Sequence, residues 1–271
     1  MVKSPWQQRI GRAEHLAEQH AFAAETLAFY GRVAKFQESL YQRLENKVPT
    51  DSRGGTGSFS VPLAVSENAA AGSELVASLP SFFDLLEKDA PAALAEVARG
   101  LRNSNSHTDL LNRSWTNIDS PASPAEFIVL AFLQPYAELL RARSSLHLES
   151  YTASLCPFCN RKPALGTLRQ LGDAGKRNLV CGFCLAEWEF RRVVCPGCGQ
   201  EDHAKLPVYT AESFPYIRVE CCDTCQTYIK SIDLTKNGLA VPLVDELASI
   251  PLNLWAQERG YGKLQLNLLG M

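Results

Sequence analysis

The sequence predicts an α+β protein: an N-terminal all-α domain, two small β-rich modules each built around four cysteines, and a short C-terminal helical segment. Three observations carry this. All nine cysteines lie between Cys156 and Cys225. Residues 12–46 hold no proline and a single glycine, with apolar side chains at helical spacing. From residue 151 to 230 the chain turns rich in Cys, Gly, Pro and aromatics, and short β-prone runs replace the helical pattern.

The 271 residues divide accordingly into a helical domain (1–150), a first four-cysteine module (151–192), a second (193–235) and a C-terminal segment (236–271) that packs on the rest. Hydrophobic residues at 46% and charged residues at 21% exclude a wholly disordered chain. Lys and Arg number 27 against 29 Asp and Glu, so no chain-wide basic footprint for nucleic acid exists. No apolar run reaches the roughly 18 residues needed to span a bilayer, and the N-terminus has no apolar signal core. The expectation is a cytoplasmic protein without stable membrane insertion.

In residues 12–46, Phe29, Val33, Phe36, Leu40 and Leu44 fall on one helix face. Pro49 and the glycine-rich stretch 51–58 break it. That stretch lacks a following Gly-Lys-Ser/Thr and is read as a loop, not a phosphate cradle. Helix resumes near Ser66 and runs through Leu75. It starts again at Ser81, a side chain suited to capping the apolar segment Phe82, Phe83, Leu85 and Leu86. Residues 103–106 are a break. Ser123, Pro124 and Glu126 form a strong helix start. Pro135 should kink or split the helix that follows. Residues 191–194, 216–220 and 228–234 read as strands, and 245–258 as a helix interrupted by Pro251.

The cysteines form four Cys-x-x-Cys pairs: Cys156/Cys159, Cys181/Cys184, Cys195/Cys198 and Cys222/Cys225. Reducing compartments keep such thiols free, so clustered pairs point to metal rather than disulfides. Two residues between thiols let one tight turn aim both sulfurs at one ion, and two facing turns complete a tetrahedron. The gaps between pairs are 21, 10 and 23 residues. The long gaps have room for a hairpin and the short one is a connector, so pairing is sequential: the first two pairs make one site and the last two the other. Gly199 follows Cys198 where the backbone needs a positive φ, and Asn160 holds the same place after Cys159. Cys221 is the ninth cysteine. Spacing assigns the ligand role to Cys222, with Cys221 pointing away as a strand neighbour, although pairing of Cys221 with Cys225 is the alternative. Four thiolates suit zinc as a structural ion or iron as a one-electron centre, and leave no open catalytic position.

Other candidates carry less. His15, His20, His107 and His147 have no ligand-spaced partner, and His203 is not needed by a completed site. Glu187/Glu189 and Glu201/Asp202 read as solvated positions. Phe158, Phe183, Trp188, Tyr209, Tyr216 and Tyr228 read as shielding for the metal turns. Residues 151–230 carry a formal charge of +2, which eight thiolates and two divalent ions would turn negative, against a nucleic-acid role. Arg161, Lys162, Arg191 and Arg192 offset those anionic sites. No catalytic residues are identified.

Cys156-Pro-Phe-Cys159 with Pro163, Cys181-Gly-Phe-Cys184 with Glu187 and Trp188, Arg191 or Arg192 before Cys195-Pro-Gly-Cys-Gly199, and Cys222-Asp-Thr-Cys225 with Tyr228-Ile-Lys230 resemble the formate dehydrogenase accessory protein family, FdhE-type. Asp245-Glu-Leu-Ala248, Pro251-Leu-Asn-Leu-Trp-Ala256, Glu258, Gly260 and Tyr261 extend the likeness, and Phe132-Leu-Gln-Pro-Tyr136 does so more loosely. The resemblance implies tandem rubredoxin-like, or zinc-ribbon, modules that bind two metal ions through the eight paired cysteines, with iron favoured over zinc. It implies a non-enzymatic maturation factor, or chaperone, that binds the catalytic subunit of a respiratory formate dehydrogenase. Asn160 and Cys221 are departures from the pattern and touch metal geometry. The other readings are a rubredoxin-like electron carrier and, behind it, a zinc-ribbon nucleic-acid adaptor.

Overall fold

Ser4 starts the first helix. Its hydroxyl accepts from the Gln7 N–H while the Gln7 side chain returns to the Ser4 N–H, and Pro5 presets the first turn. The computed structural model describes residues 3–48, 65–104, 106–117, 123–144, 151–171, 174–267 and 269–270. The glycine-rich stretch 51–58 and His147 lie outside them.

Helix α1 covers Pro5–Gln19 and α2 covers Ala24–Glu45. The helical reading of 12–46 thus resolves into two helices. The break falls at His20, whose ring packs against Phe22 (5.4 Å) and, from the far end of the chain, Phe214 (5.2 Å). A tertiary contact ends α1 where no Gly or Pro does. The α2 face behaves as its spacing requires: Phe29, Val33, Leu40 and Leu44 are buried and Phe36 is partly so.

Helix α3 (Ala69–Asp89) is capped by Asn68, not Ser81, and runs straight through Pro80. Leu75, Leu79, Phe82, Phe83 and Leu86 form one continuous buried face, and that burial outweighs the backbone bond Pro80 cannot make. Helices α4 (Ala92–Arg102) and α5 (His107–Thr116) follow. Helix α6 (Pro124–Arg143) has the expected Ser123–Glu126 capping box. It is not split at Pro135, because residues 128–139 are buried all round as the domain's central helix. Phe36, Phe82 and Phe132 stack around it at 5.0–6.2 Å.

The cysteine-rich half is one seven-stranded sheet. Strands β1 (Pro163–Leu171), β2 (Ala174–Cys181) and β3 (Glu187–Glu189) form one antiparallel ribbon. Strands β4 (Val208–Ala211), β5 (Phe214–Cys222) and β6 (Thr227–Asp233) form a second. The ribbons join edge to edge through a parallel β1–β6 pair, giving the order β3-β2-β1-β6-β5-β4, and β7 (Gly262–Lys263) adds alongside β6. Gly166 permits the joint: a Cβ there would lie 2.3 Å from the Ser231 hydroxyl. The hairpins fill the two long cysteine gaps as expected. Residues 191–194 form a turn rather than a strand, since Arg177 of β2 takes the Arg191 and Val194 carbonyls. Helices α7 (Pro242–Ala248) and α8 (Ile250–Glu258) break at Ser249, with Pro251 in the first turn of α8.

One core spans both halves. Phe132 and Tyr136 of α6, Cys156, Cys181, Phe183 and Trp188 belong to a single buried cluster. Gln134 of α6 donates to the Gly182 carbonyl at 2.9 Å, and Arg9 of α1 holds Glu138 at 2.6 Å in a buried ion pair. Among the described residues, no helix is long and apolar enough to cross a membrane.

Candidate metal centres

The four Cys-x-x-Cys turns share one backbone form. In each, the residue after the second cysteine has positive φ: Asn160 (59°), Leu185 (56°), Gly199 (76°) and Gln226 (54°). The sequence pointed to this at Asn160 and Gly199. Leu185 and Gln226 adopt it without a residue type that favours it, because the surrounding turn imposes it. The same bond closes three of the turns: Asn160 N–H to the Cys156 carbonyl, Gly199 to Cys195 and Gln226 to Cys222, all at 2.9 Å, while in the Cys181 turn the Cys181 N–H donates to the Ala186 carbonyl at 2.9 Å. This coil points backbone N–H groups at sulfur. Phe158 donates to Cys156 and Phe183 to Cys181 at 3.4 Å, and Gly197 to Cys195 at 3.3 Å.

The fold brings all eight predicted cysteines together in two sets, paired sequentially. Cys156, Cys159, Cys181 and Cys184 form one, and Cys195, Cys198, Cys222 and Cys225 the other, with the sulfurs of each set within 4.8 Å of one another. Sulfur separations are 3.5 Å (Cys156–Cys184), 3.4 Å (Cys159–Cys181) and 3.7 Å (Cys195–Cys225 and Cys198–Cys222). A disulfide needs about 2.0 Å. A tetrahedron with metal–sulfur bonds of about 2.3 Å has edges of about 3.8 Å, so both sets fit a four-thiolate ion. Packed thiols also drive each other's ionisation apart. Cys181 is held well below its usual value by hydrogen bonds from Cys156, Cys159 and Cys184, while Cys159 of the same set is held well above it by hydrogen bonds with Cys156 and Cys181. A central cation removes that conflict, since it lets all four ionise.

Alternation along β5 separates the last two cysteines of that strand. Cys222 turns to the Cys198 sulfur, and Cys221 turns into the core with Ile217, Val219 and Tyr228. Burial pushes the Cys221 thiol up to about 12.

The two centres have different surroundings. The first lies under the helical domain, with its cysteines at most 9% exposed. Arg161 sits over the Phe183 ring at 4.6 Å and donates to the Ser114 and Trp115 carbonyls at the end of α5. The Trp115 ring meets Phe183 edge-on at 5.5 Å. The second is open: Cys198 is exposed and Cys225 partly so.

The aromatics divide. Phe158, Phe183 and Trp188 pack into the core around the first centre. Tyr209, Tyr216 and Tyr228 instead anchor the C-terminal helices, through Trp255 (ring distance 4.7 Å), Asp245 (2.8 Å) and Asn253 (3.1 Å). Glu187 is not a solvated acid. Thr167, Arg169 and Asn178 all donate to it, and together they outweigh the upward push of burial and lower its pKa. His203 is exposed and joins neither centre. The sequence placed Lys230 and Glu246 in motifs without a role and missed Lys263. These buried charges meet where α7, β6 and β7 converge, and their distance apart in the chain hid them.

Comparison with known proteins agrees with this architecture. The model of the FdhE central domain matches residues 155–192, and that of the FdhE C-terminal domain matches 193–269. A protein FdhE homolog of Aquifex aeolicus is 35% identical over 145 residues, covering 53% of this chain and 51% of its own. One from Pseudomonas aeruginosa is 32% identical over 155 residues, covering 55% and 50%. In both alignments the chain spans about half the relative's length. The Pseudomonas putida homolog aligns over 96% of this chain and 86% of its own, at 27% identity. The crystal structure of the FdhE protein from Pseudomonas aeruginosa superposes with a TM-score of 0.72 at 25% identity, covering 99% of this chain and 97% of that one. Two matching domain models, a shared full-length fold and two sequential four-cysteine centres lead to one conclusion: residues 155–269 match the FdhE central and C-terminal domains, and the whole chain has an FdhE-like fold.

Proposed function

We propose that this protein is a cytoplasmic accessory factor that binds the catalytic subunit of a respiratory formate dehydrogenase and is required for its activity, without turning over a substrate itself. The observation that carries this reading is the pair of closed four-thiol sets on one sheet, in a chain that matches the FdhE central and C-terminal domains. Four cysteines fill a tetrahedral ion's positions and leave none for substrate. Nine free thiols suit a reducing compartment.

The eight paired cysteines would hold the ions. Iron, which the resemblance favours, supplies a one-electron couple, whereas zinc supplies folding energy alone. Arg161 and Gln134 tie the first centre to the helical domain. The exposed Cys198 favours electron transfer as the second reading, because it brings the second centre to the protein surface.

Deletion of the gene in its host tests the proposal. Formate-dependent dye reduction should fall to background while the catalytic subunit polypeptide is still made, and the intact gene should restore it. Full activity in the deletion strain would sink the proposal.

A further inference from the structure

The sheet has a covered face and an open one. Ile217, Val219 and Cys221 of β5, with Tyr228, Lys230 and Ile232 of β6, point to α7 and α8. The alternate residues Arg218, Glu220, Thr227 and Ile229 point the other way and floor a cleft of about 450 Å³. Its walls come from both modules: Leu168 and Arg177 from the first, and Val193, Pro196, Leu206 and Val208 from the second.

Strand β4 borders this cleft and is the outermost strand of the sheet on that side. Its inner edge is fixed by the register Val208↔Glu220 and Thr210↔Arg218 and by the bond from the Cys221 N–H to the Pro207 carbonyl. Antiparallel alternation then turns the N–H and C=O groups of Val208 and Thr210 outward, away from β5. Residues 208–210 are exposed, so this edge is open to pairing. Val193 and Val208, 52% and 55% exposed, put apolar surface at the rim.

Charge adds the third element. Within the cleft, Arg177 is neutralised by Glu220 and Arg218 by Asp233. Arg191, next in the chain, pairs with Glu201. Arg192 lines the cleft and, among the described residues, has no acidic partner. The site therefore offers strand-pairing groups, an apolar notch and one uncompensated cation.

We propose that β4 and its cleft bind an extended peptide segment of the partner protein, added as a strand on the free edge of β4. It places an apolar side chain between Val193 and Val208 and a carboxylate at Arg192. Main-chain bonds to Val208 and Thr210 hold the segment, and the alternate side chains give the selectivity. The inference deepens the client-binding reading and rests on it.

The test uses the metal-loaded full chain with two probes: the purified formate dehydrogenase catalytic subunit, and a positional-scanning library of octapeptides. Thr210→Pro removes only an outward N–H, a change edge strands tolerate. Arg192→Glu reverses the free charge. Each should weaken subunit binding by roughly tenfold or more, as loss of a central contact does, with two metal ions still bound per chain. The library should select alternating apolar residues and one acid, and lose that acid preference with Arg192→Glu. Unchanged binding of both probes to both variants would overturn the cleft assignment. If the subunit fails to bind the unaltered protein, the client reading fails, and the library alone decides the cleft: no acidic or apolar preference, or equal binding to Thr210→Pro, overturns it.

Discussion

Arg177 of β2 and Glu220 of β5 meet at 2.5 Å across the join between the two ribbons. The Arg177 side chain is almost fully buried and also holds the Arg191 and Val194 carbonyls, so one residue of the first module fixes the approach to Cys195 in the second. Arg177→Met should lower unfolding stability by roughly 2–4 kcal/mol, since it strands a carboxylate and two carbonyls. Glu220→Gln, which keeps an acceptor, should cost about 1 kcal/mol. Urea unfolding of the metal-loaded variants checks the ordering; equal costs would contradict it.

The two centres should release metal at different rates. The first is covered by α5, α6 and Arg161, while the second exposes Cys198. A chelator in excess should remove metal in two phases of equal amplitude. Cys198→Ser should abolish the fast phase, and Cys156→Ser the slow one. A single phase in the unaltered protein would show that cover does not govern release.

Glu246 gives the protein an acid-sensitive lock. It is fully buried between Lys230 (2.9 Å) and Lys263, and Asn267 donates to it at 2.9 Å. Burial would push its pKa up, but the two ammonium groups outweigh burial and hold it at about 2, against an ordinary 4.5. A depressed carboxylate pKa stabilises the fold above the ordinary value, and that stability is lost as pH falls from 4.5 toward 2. Glu246→Gln should therefore be less stable than the unaltered protein at pH 7, by roughly 3 kcal/mol. The gap should close as pH falls through that window. A gap independent of pH would rule the lock out.

Positive φ carries a measurable cost in these turns. Gln226 adopts it (54°) on an exposed turn, so Gln226→Gly should raise stability by about 0.5–1 kcal/mol. Gly199→Ala, at 76° with open space around the Cβ position, should lower it by about 1 kcal/mol through strain alone. Thermal midpoints of the metal-loaded proteins test both signs, and a stabilising Gly199→Ala would contradict the shared turn geometry.

The metal turns were legible because their chemistry is local: two thiols, two residues apart, need one kind of bend. Sequential pairing followed from gap lengths for the same reason. The places where the sequence misled are those where distant packing decides. His20 ends a helix by meeting Phe214, and Pro80 and Pro135 sit inside helices that burial keeps continuous. The join of the ribbons through Gly166 and Ser231, and the meeting of Lys230, Glu246 and Lys263, join residues far apart in the chain and leave no local pattern.

Native mass spectrometry of the metal-loaded protein mixed with the purified formate dehydrogenase catalytic subunit tests the central claim most directly. The account predicts a complex containing both chains, with this chain still carrying two metal ions, and no formate oxidation by this chain alone. Absence of any complex with a folded catalytic subunit, or formate turnover by this chain without it, would contradict the account.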